Sequence, residues 1–352
     1  MHVPDGFLNA PTSVATGAVA AAGVAIALRK AQGELDERTA PLAGLTAAFV
    51  FAVQMLNFPV GVGTSGHLMG GALAAVLVGP WTAVLCLSVV LLVQGLLFAD
   101  GGLTALGTNI SLIGITTVVV GWVVTRAVLA VLPKRPASVV PASAVGALIS
   151  VPVAALVFVL LFAFGGEASL SLGALTASML GWHTLIGIGE AVITGLTVSA
   201  VVAVRPDLVH AARGLRPALQ LKQADGTLAP APAPEPEPVG AASRGSVKPL
   251  LIGGGVVALA LAGIVSFFAS SNPDGLEYVA EGEGFLDRAR DHAFGDFALA
   301  DYGEVGGIPV GVAGILGVAV VVAVGVVLFR LVAGKSRPAG AAAGSRQENA
   351  VR

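Results

Sequence analysis

Nine stretches of this chain are too apolar to sit in water, and most are long enough to cross a bilayer. A helix crossing a hydrocarbon core needs about 20 mostly apolar residues. Candidate spans run over 12–28, 42–57, 67–78, 81–98, 103–132, 139–164 and 172–204, and two more, 249–268 and 308–331, follow a polar interval. The third is short, and "VGPW" breaks it from the fourth; it counts here as a span, with a re-entrant element or half of a bent pair as the alternatives. Only 11% of residues are charged against 55% hydrophobic, far from the balance of a soluble domain. The expected fold is therefore all-α: a polytopic membrane helical bundle of about seven spans plus a two-span C-terminal unit.

Basic residues orient the bundle. Arg29, Lys30, Arg38, Arg126, Lys134, Arg135, Arg205, Arg213, Arg216 and Lys222 all fall on the side reached after an odd number of crossings. The positive-inside rule then places Met1 outside and the C-terminus in the cytoplasm of a cell-membrane protein. The expected organisation is a capture domain over 1–204, a cytoplasmic Pro/Ala-rich linker over 205–248 that buries no core, a two-span unit over 249–332 with an external loop over 269–307, and a disordered tail over 333–352. Polyproline geometry is expected for "APAPAPEPEP". The lone Cys86 lies in an apolar run and can build neither a disulfide nor a thiolate cluster within the chain, which leaves packing as its role. With a net charge of −2 and basic residues scattered instead of striped along one face, nucleic acid is not expected as a partner.

Three motifs are decoys. "GVGTSG" (61–66) has the spacing of a dinucleotide loop but separates membrane spans instead of joining a strand to a helix. "AGKSRP" lacks the upstream glycine of a phosphate loop, since Phe329 stands there, so no ATPase is visible. "NIS" at 109–111 lies in or beside a span and carries no weight as a glycosylation signal.

The opening "MHVPDG" carries chemistry. A free α-amine, the amide nitrogen of His2 and its Nδ1 can close a five- and then a six-membered chelate ring around one cation. Such a planar nitrogen set suits Ni(II), Cu(II) or Co(II) better than Zn or Mg. It requires that Met1 be retained and unformylated; a disordered terminus with an incidental histidine is the competing reading. His67, in "NFPVGVGTSGHLMGG", stands at the outer mouth of the third span, on the side of Met1, among glycines that let other chain approach. Its imidazole is the candidate fourth ligand. His183 and Glu190, seven residues apart on one helix face, act either as a relay behind the metal or as structural hydrogen-bonding groups. Asn57 and Ser65 flank the same region and are further candidates to stand behind the ligands, while interhelical hydrogen bonding is the favoured reading of Gln54, Asn57, Gln94 and Asn109. His210 in the linker and His292 in the external loop are expected to be solvated. The loop is rich in carboxylates, Asp274, Glu277, Glu281, Glu283, Asp287, Asp296, Asp301 and Glu304 among them, which suit either cation attraction or plain solubility.

These residues carry a family resemblance. "MHVPDGFL", "NFPVGVGTSGHLMGG", "LLFADGGLTALGTNISLIG" and "WHTLIGIGEAVITG" resemble the CbiM/NikM membrane component of group I energy-coupling factor transporters for cobalt and nickel, over about 1–204. The part with "NPDGLEYVAEGEGF" and "ADYGEVGG" is similar to the PDGLE domain, counterpart of the small CbiN/NikN subunit. The resemblance implies a substrate-capture subunit, not an enzyme, with cobalt or nickel as substrate and no organic cofactor. It implies metal held by the Met1 amine, His2 and His67, and partners on separate chains: a coupling transmembrane subunit and cytoplasmic ATPases. It does not separate the two metals, although planar nitrogen chemistry favours nickel slightly. Because the ligands lose protons on binding, capture is expected to weaken as pH falls. An ATP-independent carrier and a structural or assembly subunit are the alternatives.

Overall fold

The computed structural model describes residues 1–36, 39–61, 63–215, 220–222, 228–230, 246–300, 302 and 307–333. The polyproline run beyond Pro230, the tail beyond Ala333, and Arg38, Arg216, Asp301 and Glu304 lie outside the described residues.

Helix α1 (Ala10–Lys30) starts where the Asn9 side chain accepts from Thr12 N and Pro11 occupies the first turn. Helix α2 (Thr39–Gln54) follows, then a hairpin of β1 (Phe58–Gly61) and β2 (Thr64–Gly66), antiparallel with Phe58 opposite Gly66. This hairpin is what "GVGTSG" builds; Gly63 takes a φ of +74°, the left-handed region its turn requires. Helix α3 (Gly71–Val78) lies between Gly70 and Gly79, with φ of +83° and +99°, and Pro80 opens α4 (Pro80–Leu97). A short helix α5 (Leu106–Asn109) continues through a π-helical stretch (Ile110–Thr116) into α6 (Thr117–Val131). Helices α7 (Val139–Gly165) and α8 (Leu172–Val204) pack along each other. Two three-residue strands, β3 (Gln220–Lys222) and β4 (Leu228–Pro230), precede α9 (Lys248–Gly263), the short α10 (Gly275–Gly282) and α11 (Val310–Ala333).

Among the described residues seven helical segments are long and apolar enough to span a membrane, α2 is a shorter apolar helix, and α3 has only eight residues. Eight residues of helix cover about 12 Å, well under a bilayer core of ~30 Å. The chain nevertheless runs from one end of the bundle to the other here. Glu34, just past α1, accepts hydrogen bonds from Trp81 N (3.3 Å), Thr82 N (2.7 Å) and Thr82 Oγ1 (2.9 Å), so the end of α1 and the start of α4 share one face. Burial pushes the Glu34 carboxyl up despite these bonds. His67 lies on the opposite face, in contact with Met1. The chain therefore crosses between His67 and Gly79 as a buried half-helix preceded by non-helical backbone, and Glu190 and Gln54 satisfy the polar groups of that backbone.

Helices α9 and α11 rest on α2, where small residues permit close approach: a Cβ on Gly44 would lie 3.2 Å from Val326, and one on Gly317 would collide with Phe51 at 2.1 Å. Cys86 is buried and its Sγ contacts Ala43 O at 3.4 Å, a packing role.

Two expectations about polar segments need correction. The start of the linker is packed: Leu208, Val209, Ala211 and Ala212 are buried, and the turn His210–Ala212 sits against α3. His210 is accordingly not solvated. Its ring lies 5.5 Å from that of Trp122, and burial, with Arg213 and Arg126 nearby, pushes its pKa down to about 4. His292 is half-buried, its Nδ1 accepting from Phe294 N at 3.0 Å.

Candidate metal site

The first residues enter the protein instead of trailing from it: Met1 is 2% exposed, Val3 0% and Phe7 1%. A receptacle for them is built by the loop after α4 and the last residue of α5. Asn109 Oδ1 accepts from Val3 N (2.8 Å) and Asn109 Nδ2 donates to Val3 O (3.1 Å), which also accepts from Gly102 N (2.9 Å). The Asp5 carboxylate accepts from Leu103 N (3.1 Å), Thr104 N (2.7 Å) and the Thr104 hydroxyl. "ADGG" is required here because a Cβ on Gly102 would lie 2.2 Å from Asp5 N, and Gly101 has a φ of +85°.

Threaded in this way, the Met1 nitrogen arrives 2.5 Å from His67 Nε2. Two nitrogens bound to one metal at right angles, each about 2.0 Å from it, are about 2.8 Å apart, so the pair is spaced as adjacent ligands. The His67 ring is oriented from its other side, Nδ1 lying 3.0 Å from Leu68 O. The His2 ring is nearly parallel to that of His67, at 14° and 4.8 Å between centroids. Its Nδ1, however, faces Asp100 Oδ1 at 3.1 Å, and its Nε2 is buried without a hydrogen-bond partner. Burial opposes ionisation of Asp100, yet His2 outweighs it and holds that carboxyl below its ordinary value.

The remaining candidates fall behind this centre. Glu190 accepts from Met69 N (2.7 Å) and Gly70 N (3.1 Å), tying down the backbone that follows His67. His183 is buried, with Nδ1 2.8 Å from Met179 O and Nε2 unpartnered. Ser65 does not face the imidazoles; its Oγ donates to Asn272 O (2.8 Å) and its N to Pro273 O (2.9 Å). Asn57 O accepts from Ser270 N (2.8 Å). Ser65 and Asn57 thus clasp the segment between α9 and α11, which folds over the site as a cover. Tyr278 packs on Trp182 and Phe285 on Phe7, and Arg290 N donates to Asp5 O (2.8 Å).

This cover brings in a residue that sequence reasoning had counted only as one carboxylate among many. Asp274 Oδ2 lies 2.8 Å from the Met1 nitrogen and 3.6 Å from His67 Nε2. Burial opposes its ionisation, but the positive amine and His67 hold the carboxyl well below the usual range. A cavity of about 520 Å³ opens over the centre, lined by His2, His67, Asp100, Asp274, Glu277 and Tyr302 among others. Among the described residues no group of three or more His, Cys, Asp or Glu side chains is arranged to hold a metal ion.

The fold and site define a multi-pass helical membrane protein with a buried amine–imidazole centre under a polar vestibule. Residues 2–208 match the family model described as cobalt uptake substrate-specific transmembrane region, and residues 248–334 match the PDGLE domain. The chain belongs to that cobalt uptake family and carries a PDGLE domain behind it. It is 36% identical over 209 residues to a protein of Haloquadratum walsbyi named for metal transport, covering 59% of this chain and 93% of the relative. It is 44% identical over 109 residues to the fused nickel transport protein NikMN of Rhodobacter capsulatus, covering 31% of each chain. A crystal structure of a transition metal transporter superposes with a TM-score of 0.52 at 31% identity, over 58% of this chain and 93% of that one.

Proposed function

We propose that this protein is the substrate-capture subunit of an ATP-driven energy-coupling factor importer for cobalt or nickel. The metal is held by the Met1 amine, the amide and imidazole of His2, and the imidazole of His67. The observation that carries this reading is the convergence of the Met1 nitrogen and His67 Nε2, 66 positions apart in sequence, to 2.5 Å in a buried setting. Membership of a cobalt uptake family and likeness to a fused nickel transport protein support the choice of substrates. The Met1 face is the external one, a reading that the distribution of basic residues supports, and the vestibule opens outward. Capture exchanges the contact of His2 Nδ1 with Asp100 for one with the metal. Glu190 and His183 then stand behind the centre, Glu190 by fixing the backbone after His67. A coupling transmembrane subunit and cytoplasmic ATPases supply the energy for inward release.

The test is elemental analysis of the purified chain after equilibration with equal Ni(II) and Co(II), alongside His67→Ala and a variant with one residue inserted before His2. Wild type retains about one ion and both variants lose it. Undiminished retention in either variant overturns the ligand set. Uptake by vesicles holding this chain without any ATPase would overturn the energised mechanism.

A further inference from the structure

The PDGLE segment does more than cover the site. Asp274 caps α10 with one oxygen, Oδ1, which accepts from Leu276 N (2.8 Å) and Glu277 N (2.9 Å). Its other oxygen, Oδ2, points away from that helix at the two nitrogens of Met1 and His67. The three atoms form a triangle with edges of 2.5, 2.8 and 3.6 Å. Three donors about 2.0–2.2 Å from one ion and mutually at right angles form a triangle with edges of about 2.8–3.1 Å. The observed triangle has one edge at that spacing, 2.8 Å, one shorter, 2.5 Å, and one longer, 3.6 Å, so a small shift of Oδ2 toward His67 would complete one face of a coordination polyhedron.

We propose that Asp274 Oδ2 is a direct oxygen ligand of the captured metal, supplied by the PDGLE domain to a centre whose nitrogens come from the rest of the chain. This rests on the assignment of Met1, His2 and His67 as ligands and adds a fifth donor to their planar set. Electrostatics favour it. When the amine binds metal its proton leaves to water, and the dication takes the place of the ammonium charge beside Oδ2. The half-buried carboxylate is therefore never left without a counter-charge. A carboxylate out of the nitrogen plane also changes which ions fit. Four nitrogens alone favour the planar low-spin d8 state of Ni(II), whereas an added oxygen accommodates five-coordinate Co(II) and high-spin Ni(II). The PDGLE domain thereby becomes a determinant of metal selectivity.

The experiment uses the full-length chain loaded with Ni(II) or Co(II), comparing wild type with Asp274→Asn, Asp274→Ala and Asp287→Asn. Asparagine also caps helices well, so Asp274→Asn keeps α10 and removes only the anionic donor. Asp287, largely exposed in the cover, controls for a general change of charge. Wild-type Ni(II) protein is expected to be paramagnetic with weak visible bands, and Asp274→Asn diamagnetic with the intense band of a planar ion. Affinity for Co(II) should fall ~10–100-fold, and more than that for Ni(II). Asp287→Asn should match wild type in both readouts. Identical spectra, magnetism and affinities in wild type and Asp274→Asn would overturn the proposal; if His67→Ala has meanwhile lost the metal, the nitrogen ligands stand without it. Retention by His67→Ala equal to wild type would remove the reading beneath and the proposal with it.

Discussion

Asn109→Ala tests whether the metal centre depends on how the N-terminus is seated. Asn109 is 2% exposed and touches no proposed ligand atom; it holds Val3 by two hydrogen bonds, of 2.8 and 3.1 Å. Truncation leaves the buried Val3 N–H without that acceptor, a cost of ~1–3 kcal/mol, and removes a second bond with a net value of ~0.5–1.5 kcal/mol. Val3 O keeps its bond from Gly102 N, so its loss is partial. The seat is weakened by about 2–4 kcal/mol, which at 1.4 kcal/mol per factor of ten is roughly 30- to 700-fold. Apparent metal affinity falls with the fraction of molecules still seated. Two readouts belong together: chelator competition for Ni(II), and the rate at which an amine-acylating reagent modifies Met1, scored by mass spectrometry. Wild type should be slow to acylate and tight in binding, Asn109→Ala fast and weak. Asn109→Asp, which keeps the acceptor for Val3 N but not the donor to Val3 O, should fall between them. An Asn109→Ala protein with a protected amine and unchanged affinity would show that the terminus is held by something other than this clamp.

Glu190→Gln leaves one acceptor oxygen for two backbone donors, Met69 N and Gly70 N, and turns an NH₂ group toward the other. The lost charged hydrogen bond is worth ~1.5–3 kcal/mol. Metal retention should drop about tenfold or more, and unchanged retention would reduce Glu190 to a packing residue. For His210, burial lowers the pKa to about 4 in the folded protein against an ordinary value of 6.5. The unfolded chain therefore binds more protons between those values, and stability falls as pH drops from about 6.5 toward 4. The seat of His210–Ala212 under α3 should loosen in that window, seen as faster amide exchange there, while His210→Phe should flatten the dependence; an equal pH response in both proteins would refute it.

Much of the bundle is legible in the sequence because spans are written in composition and length. The third crossing was harder. Its helix is only eight residues long, and the non-helical backbone before it leaves no apolar periodicity, so the alternatives of span and half-element both had substance. The linker's polar composition concealed a short apolar run, "LVHAA", which buries itself beneath α3; averaging over a Pro-rich segment erases so small a signal. Asn109 was read as an interhelical hydrogen-bonding residue, since nothing local says that its partner is the backbone of residue 3. Asp274 is likewise one of nine loop carboxylates. What distinguishes it is the grip of Ser65 on Asn272 and Pro273, a contact spanning more than two hundred positions. Sequence periodicity carries no information about such a fold-back.

The short passage between β2 and α3 differs mechanically from everything around it. A helix resists displacement cooperatively, because shifting one turn breaks a ladder of bonds that reinforce one another. From His67 to Gly70 the main chain is instead moored by individual side chains: Glu190 on two nitrogens and Gln54 on a carbonyl. Such moorings release one at a time, so a load applied across the bundle would make it give way here before any rod bends, carrying the imidazole of His67 along.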